Sequence, residues 1–189
     1  GRVDVRRATE ALRQNAAQAL KLYSTKKFVS AYGRLIDLLY ENKRYVEVEK
    51  ICREILELQG GEDITPFKVD ALEMLAQSLA KQGKTDAALT LMDNLIKGAK
   101  KARDERSEIL LSRLKGQILR EAGKFEDAAK LYESLIDRVA KLADIKQESR
   151  DRFADLIRYT LSGVYIDMKN VDKAAEHLKA RLAKDEKNP

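Results

Sequence analysis

Tryptophan is absent from the 189 residues, proline occurs twice, and cysteine and histidine occur once each. Each scarcity removes a class of protein. One cysteine, Cys52, cannot build an internal disulfide framework; on the apolar stripe of its segment it reads as a core filler rather than a reactive thiol, which would need exposure and a lowered pKa. One histidine, His177, with no cysteine cluster, offers no zinc-type ligand set, so no metal and no cofactor is expected. No apolar run approaches the ~18 residues that mark a membrane-spanning helix. Neither a GxxxxGK[ST] loop nor a GxGxxG turn is present, no local signature marks a Ser-His-Asp site, and nothing predicts the closed pocket that paired acid–base carboxylates require. The chain reads as non-catalytic. The compartment is open at this stage, the cytoplasm being the default expectation.

What the chain has is charge at helical spacing. Charged residues make up 36% and aromatics 6%, the profile of long helices laced with ion pairs. The grammar is clearest from Leu114 to Ile136. Leu111, Leu114, Ile118 and Leu119 form one apolar stripe. Gly116 lies inside that helix, where glycine costs roughly 1 kcal/mol against alanine, which points to close approach of a neighbouring helix. Gly123 ends the helix. Phe125, Ala128, Ala129, Tyr132, Leu135 and Ile136 form a second stripe, with Ala128 small where the two helices cross and Tyr132 and Phe125 large beside it. The pattern is that of two antiparallel helices.

The same grammar recurs around Lys43, Gly83 and Lys169. From Lys43 to Gly83 and from Gly83 to Gly123 is 40 residues, and from Gly123 to Lys169 is 46. Leu35, Ile36 and Leu39 precede the first turn, and Tyr45, Val48, Cys52 and Ile55 follow it. Leu75, Ala76 and Leu79 precede the second, and Ala88, Met92 and Leu95 follow. Leu161, Ser162 and Tyr165 precede the last, and Val171, Ala174 and Leu178 follow. A fixed period in this range marks a solenoid, in which each hairpin buries its outer face on its neighbour and stability is a nearest-neighbour sum.

At Leu161-Ser162-Gly163-Val164-Tyr165 followed by Asn170 to Ala175, and at Lys115-Gly116 to Leu119 with Ala128 and Tyr132, the chain resembles the tetratricopeptide repeat family. The resemblance runs from Lys26 to Lys184. It implies an all-α, right-handed α-solenoid of stacked antiparallel helix hairpins. The period is longer than the family's usual 34 residues, and the early tryptophan-like residue and the closing proline are missing. The extra residues, Ala99 to Ser107 and Ala140 to Arg150, are expected as helix extensions, as in the longer-repeat branch.

In order, residues 1–25 are expected to hold an N-terminal helix (Val3 to Tyr23), as a cap or half repeat. Residues 26–184 hold about four hairpins: Lys26–Glu41 with Tyr45–Leu58, Phe67–Gln82 with Thr85–Lys101, Asp104–Ala122 with Phe125–Leu142, and Gln147–Met168 with Val171–Ala183. Gln59 to Pro66 is the clearest loop, with Thr65 and Pro66 suited to start the next helix. Residues 185–189 are a polar tail, and because the stack ends on Leu178 and Leu182 without a polar capping helix, the native chain is expected to continue.

The resemblance implies a scaffold that holds a peptide or partner segment on a concave surface lined by the first helix of each hairpin. The exposed sides of those helices give the candidate contacts: Asp37, Tyr40 and Glu41; Glu73, Gln77 and Lys81; Arg113, Gln117 and Arg120; and Tyr159. Arg113, Gln117 and Arg120 share one helix face, where arginine offers forked donors to a carboxylate or a backbone carbonyl. The competing expectation is a solvated face paired internally with Asp104, Glu121 or Glu126. The family's clamp for chaperone tails needs Lys and Asn on successive first helices; Gly33 and Asp37 stand at the first such places, so that specificity is not implied. A net charge of +6 makes nucleic acid a rival partner, but acids are interleaved with the bases and no aromatic platform is evident. The third alternative is a structural spacer that self-associates through its end hairpins.

Overall fold

The computed structural model describes residues 7–11, 14, 25–57, 65–143 and 145–185. Among these residues the regular elements are helices: α1 (Thr25–Glu41), α2 (Tyr45–Glu57), α3 (Thr65–Lys81), α4 (Thr85–Lys101), α5 (Glu105–Glu121), α6 (Phe125–Ala140), α7 (Gln147–Asp167) and α8 (Val171–Asp185). This is the all-α hairpin-repeat class expected. Most of the N-terminal helix, the greater part of the loop at 59–64 and the tail beyond 185 lie outside the described residues. Helix α3 begins at Thr65 with Pro66 in its first turn, where the missing N–H leaves no bond unmade. Helix α8 runs on to Asp185, because Ala183-Lys184 contains nothing to break it.

The turns explain the period. Lys43, Gly83, Arg103, Gly123 and Lys169 all have positive φ, between 57° and 77°. After each, the next residue's N–H donates back to a carbonyl five residues earlier: Arg44 to Leu39, Lys84 to Leu79, Asp104 to Ala99, Lys124 to Leu119 and Asn170 to Tyr165, at 2.8–3.0 Å. These are left-handed helix caps that satisfy the last carbonyls. Two lysines therefore do the work of the two glycines they match in the repeat. Arg103 was not foreseen. It gives the joint between the second and third hairpins the same geometry as a turn inside a hairpin, so the expected extension at 99–107 is two full helices meeting at a tight turn. The joint after α6 differs. Residues 141–143, 145 and 146 are not helical; Leu142 is buried there, and Arg150 donates to its carbonyl. The extension expected at 140–150 is thus mostly a loop, followed by a longer α7 of 21 residues against 17 in α5.

Packing divides the chain into two compact units, Gly1–Ala88 and Leu89–Pro189. In the first, α2 packs on α1 and α3, burying Leu35 and Leu39, Val48, Ile51, Cys52 and Ile55, and Leu75, Ala76 and Leu79. Burial pushes the Cys52 thiol up to about 12, so it is an inert core residue. Glu49 of α2 ties this unit together: it accepts from Lys84 at 2.8 Å, Gln82 at 3.0 Å and Arg53 at 2.9 Å. The Lys84 bond, with help from Arg53 and Gln82, holds the Glu49 carboxyl down to about 2.

In the second unit α6 packs on α5 and α7, and α7 on α8. The core gathers Ile109 and Leu119 of α5, Ala128, Ala129, Tyr132, Leu135 and Val139 of α6, Ile157, Leu161, Val164 and Tyr165 of α7, and Ala174 of α8. Val171, expected in the last stripe, is 71% exposed; it is the first residue of α8, and the buried side of that helix starts a turn later at Ala174. Gly116 is where it must be: a Cβ there would lie 2.6 Å from the ring of Tyr132, a side chain with no exposure. Sequence periodicity did not mark Glu108, a buried carboxylate of α5 held between Arg138 at 2.8 Å and Lys100 at 3.6 Å.

Two outcomes test this packing. Gly116→Ala should destabilise the protein, since overpacking costs about 1–3 kcal/mol and outweighs the ~1 kcal/mol gained in helix propensity. Gly98→Ala, in α4 with nothing near its Cβ, should instead stabilise by up to about 1 kcal/mol. Urea midpoints followed by circular dichroism read both signs; equal stabilisation at the two positions would contradict the Gly116–Tyr132 contact. Because the folded Glu49 carboxyl sits at about 2, below its ordinary 4.5, its contribution is full above pH 4.5 and is lost as pH falls toward 2. Glu49→Gln should lose stability at pH 7 and flatten the fall in stability between pH 4.5 and 2, measured by the same unfolding at a series of pH values.

Candidate protein-interaction groove

Helices α5 and α7 both pack on α6 and line a groove between them. Along α5 the groove side carries Leu110, Arg113, Gln117 and Arg120, at the spacing of one helix face. Along α7 it carries Phe153, Leu156, Thr160, Gly163 and Asp167. One stretch, about 530 Å³, is polar: Arg113, Gln117, Arg120 and Glu121 face Thr160 and Asp167 over Phe125 and Tyr132. The adjoining stretch, about 580 Å³, is apolar with a cationic edge: Leu110, Leu142, Ile145, Phe153 and Leu156 beside Arg106, Arg113, Lys146 and Ser149. Arg113 borders both. A smaller hollow of about 240 Å³ lies past Arg120, against Tyr159, Gly163, Ile166 and Leu178.

Tyr132 braces the groove from below. Its hydroxyl donates to the Arg113 carbonyl at 3.2 Å. Burial pushes that hydroxyl up to about 12, against the opposite pull of the Arg113 and Arg120 charges, so it remains a neutral donor at ordinary pH. Arg120 reaches across to α7 and pairs with Asp167 at 2.6 Å. Its guanidinium lies over Gly163, where a Cβ would come within 2.9 Å of it. Gln117 donates to Glu121 at 3.4 Å. Arg120 is therefore paired internally, with Asp167 from the next hairpin. Arg113 points its charge at the groove, and its Nε is buried without a hydrogen bond among the described residues.

Of the residues singled out from sequence, Arg113, Gln117 and Arg120 come together in this groove, and Tyr159, 57% exposed, stands beside it. In the first unit, Asp37, Glu41 and Lys81 are exposed, and Tyr40, Glu73 and Gln77 are half-buried. Tyr40 packs edge-on to Tyr45, with ring centroids 5.2 Å apart. Sequence reasoning missed Leu110, Lys146, Leu156, Thr160 and Asp167. Leu110 and Leu156 could have been found as large apolar residues off the buried stripe of their helices; the roles of Lys146 and Asp167 depend on how hairpins stack. His177 is half-buried and stacked on Tyr165, with ring centroids 5.6 Å apart. Tyr165 donates to Glu133, and burial followed by this bond raises its hydroxyl to about 12. Among the described residues no group of three His, Cys, Asp or Glu side chains could hold a metal ion, and no helix is long and apolar enough to cross a membrane.

Comparison with known proteins agrees with this architecture. The tetratricopeptide repeat family model matches residues 73–143 and 113–189, together more than half of the chain. No curated protein matches the sequence. Among solved structures, BtubC (BKLC) from P. vanneervenii superposes with a TM-score of 0.70 at 19% identity, covering 96% of this chain and 73% of that one. MamA, residue 41 to the end, from Desulfovibrio magneticus RS-1 superposes with a TM-score of 0.54 at 12% identity, covering 96% and 97%. Likeness at such identities is likeness of fold. With the repeated left-handed caps, the small residues at helix crossings and the match over both C-terminal hairpins taken together, the chain belongs to the tetratricopeptide repeat family.

Proposed function

We propose that the α5–α7 groove holds a segment of a partner protein and that the chain works as a non-catalytic scaffold. Tetratricopeptide repeat proteins bind protein partners and are generally not enzymes; the groove is what this chain offers for the purpose. One observation carries the reading. Seven large hydrophobic side chains are exposed among the described residues, and four of them, Leu110, Leu156, Tyr159 and Ile166, lie on α5 and α7. Leu156, Tyr159 and Ile166 recur at the spacing of one side of α7. Clustered apolar exposure rimmed by polar groups marks an interaction surface, whereas scattered exposure does not. Arg113 and Gln117 supply donors for a partner's carbonyls or carboxylates. By the same repeat logic, Asp37, Tyr40, Gln77 and Lys81 on the first helices of the other unit are partner contacts as well.

A displayed library of random peptides, selected on the protein, tests this. The account expects discrete peptides whose affinity falls at least tenfold, about 1.4 kcal/mol, in Arg113→Glu and in Leu156→Ser. It expects no change in Arg152→Ala, an exposed residue of α7 paired with Glu148. Binding that ignores peptide sequence and collapses steeply with salt would instead mark a polyanion binder and sink the reading.

A further inference from the structure

We infer that the partner segment is acidic and aliphatic, and that it is selected at the Leu110–Leu156 end of the groove. The inference rests on the groove being a protein-binding surface and adds what it binds. The two stretches of the groove differ in the state of their charges. In the polar stretch Arg120 is engaged by Asp167 at 2.6 Å, and Gln117 is bonded to Glu121. A ligand carboxylate there would have to displace a carboxylate already in place. In the apolar stretch Arg106, Arg113 and Lys146 line the hollow and no lining residue is acidic. None of the three makes an ion pair among the described residues; Arg106 only helps to hold the Asp104 carboxyl low, behind the Ser107 bonds that dominate that shift.

The walls between these cations are Leu110, Leu142, Ile145, Phe153 and Leu156. Leu110 is 41% and Leu156 49% exposed, so aliphatic area remains to be covered. A segment with carboxylates at its edges and aliphatic side chains at its centre would cover those walls and meet the three cations together. Arg113 lines the hollow with its Nε buried, so its charge stands in a partly desolvated place where a facing carboxylate is attracted more strongly than in open water. Arg120, in contrast, is a positioning residue: with Gly163 beneath its guanidinium it braces α5 against α7.

Four short capped peptides of equal length provide the test, read by fluorescence anisotropy: one of Leu and Glu, one of Leu and Gln, one of Ser and Glu, and one of Leu and Lys. The Leu/Glu peptide should bind at least tenfold more tightly than the other three. The double variant Arg106→Ala, Lys146→Ala should reduce Leu/Glu affinity at least tenfold and leave Leu/Gln affinity unchanged. Equal binding of Leu/Glu and Leu/Gln, with library-selected peptides still sensitive to Arg113, would overturn the inference and leave the groove in place. Failure of all peptides, selected ones included, would remove both. A single-stranded oligodeoxynucleotide binding as well as Leu/Glu would overturn the inference, as would a concentration-dependent dimer that Leu156→Ser abolishes.

Discussion

Tyr132 has no exposed surface, and it fits because Gly116 on the facing helix has no side chain. The ring occupies the space a Cβ would need, 2.6 Å from where that carbon would stand, and the hydroxyl donates to the Arg113 carbonyl one turn away. A large residue set into a glycine notch lets two helices approach closely while filling the gap beside their crossing. Tyr132 is also the floor of the groove, so the contact that closes the hairpin sets the distance between the walls that a partner would touch. In the proposed reading, packing and recognition are coupled through one side chain.

Much of this could be read from residue order. The apolar stripes of α5 and α6 predicted most of their buried faces, because helical spacing and core packing impose the same restriction; Phe125 and Ile136 are only half-buried, and the buried Ile109 and Val139 lay outside the stripes. Matching Lys43 and Lys169 to the glycines at 83 and 123 found positions with the same left-handed backbone, although lysine is a poor residue for it. Arg103 escaped because it lies between hairpins, where the family pattern places no fixed turn. Glu108 escaped for a different reason. Its burial depends on Arg138 and Lys100 arriving from neighbouring helices, and no local pattern encodes that meeting.

The groove was legible in part. Arg113, Gln117 and Arg120 sit on one face because of their spacing, and that much is local geometry. Whether such a face carries free charge depends on the next hairpin, and Asp167 takes up Arg120 from 47 residues away. The cationic, apolar stretch is assembled from α5, the joint after α6 and the start of α7. That joint breaks the regular period, so its lining side chains Leu142, Ile145 and Lys146 belong to no repeat. The irregular part of the stack thus supplies what is particular to this chain, while the regular part supplies the frame.

If Tyr132 is the piece on which both walls stand, the walls should open together when it is removed. Hydrogen exchange on the native full-length chain measures this directly. In the unaltered protein, amides of α5, α6 and the first half of α7 should share one slow opening, and in Tyr132→Ala all three should lose protection by a similar factor. Loss confined to α6, with α5 and α7 exchanging as before, would contradict the account.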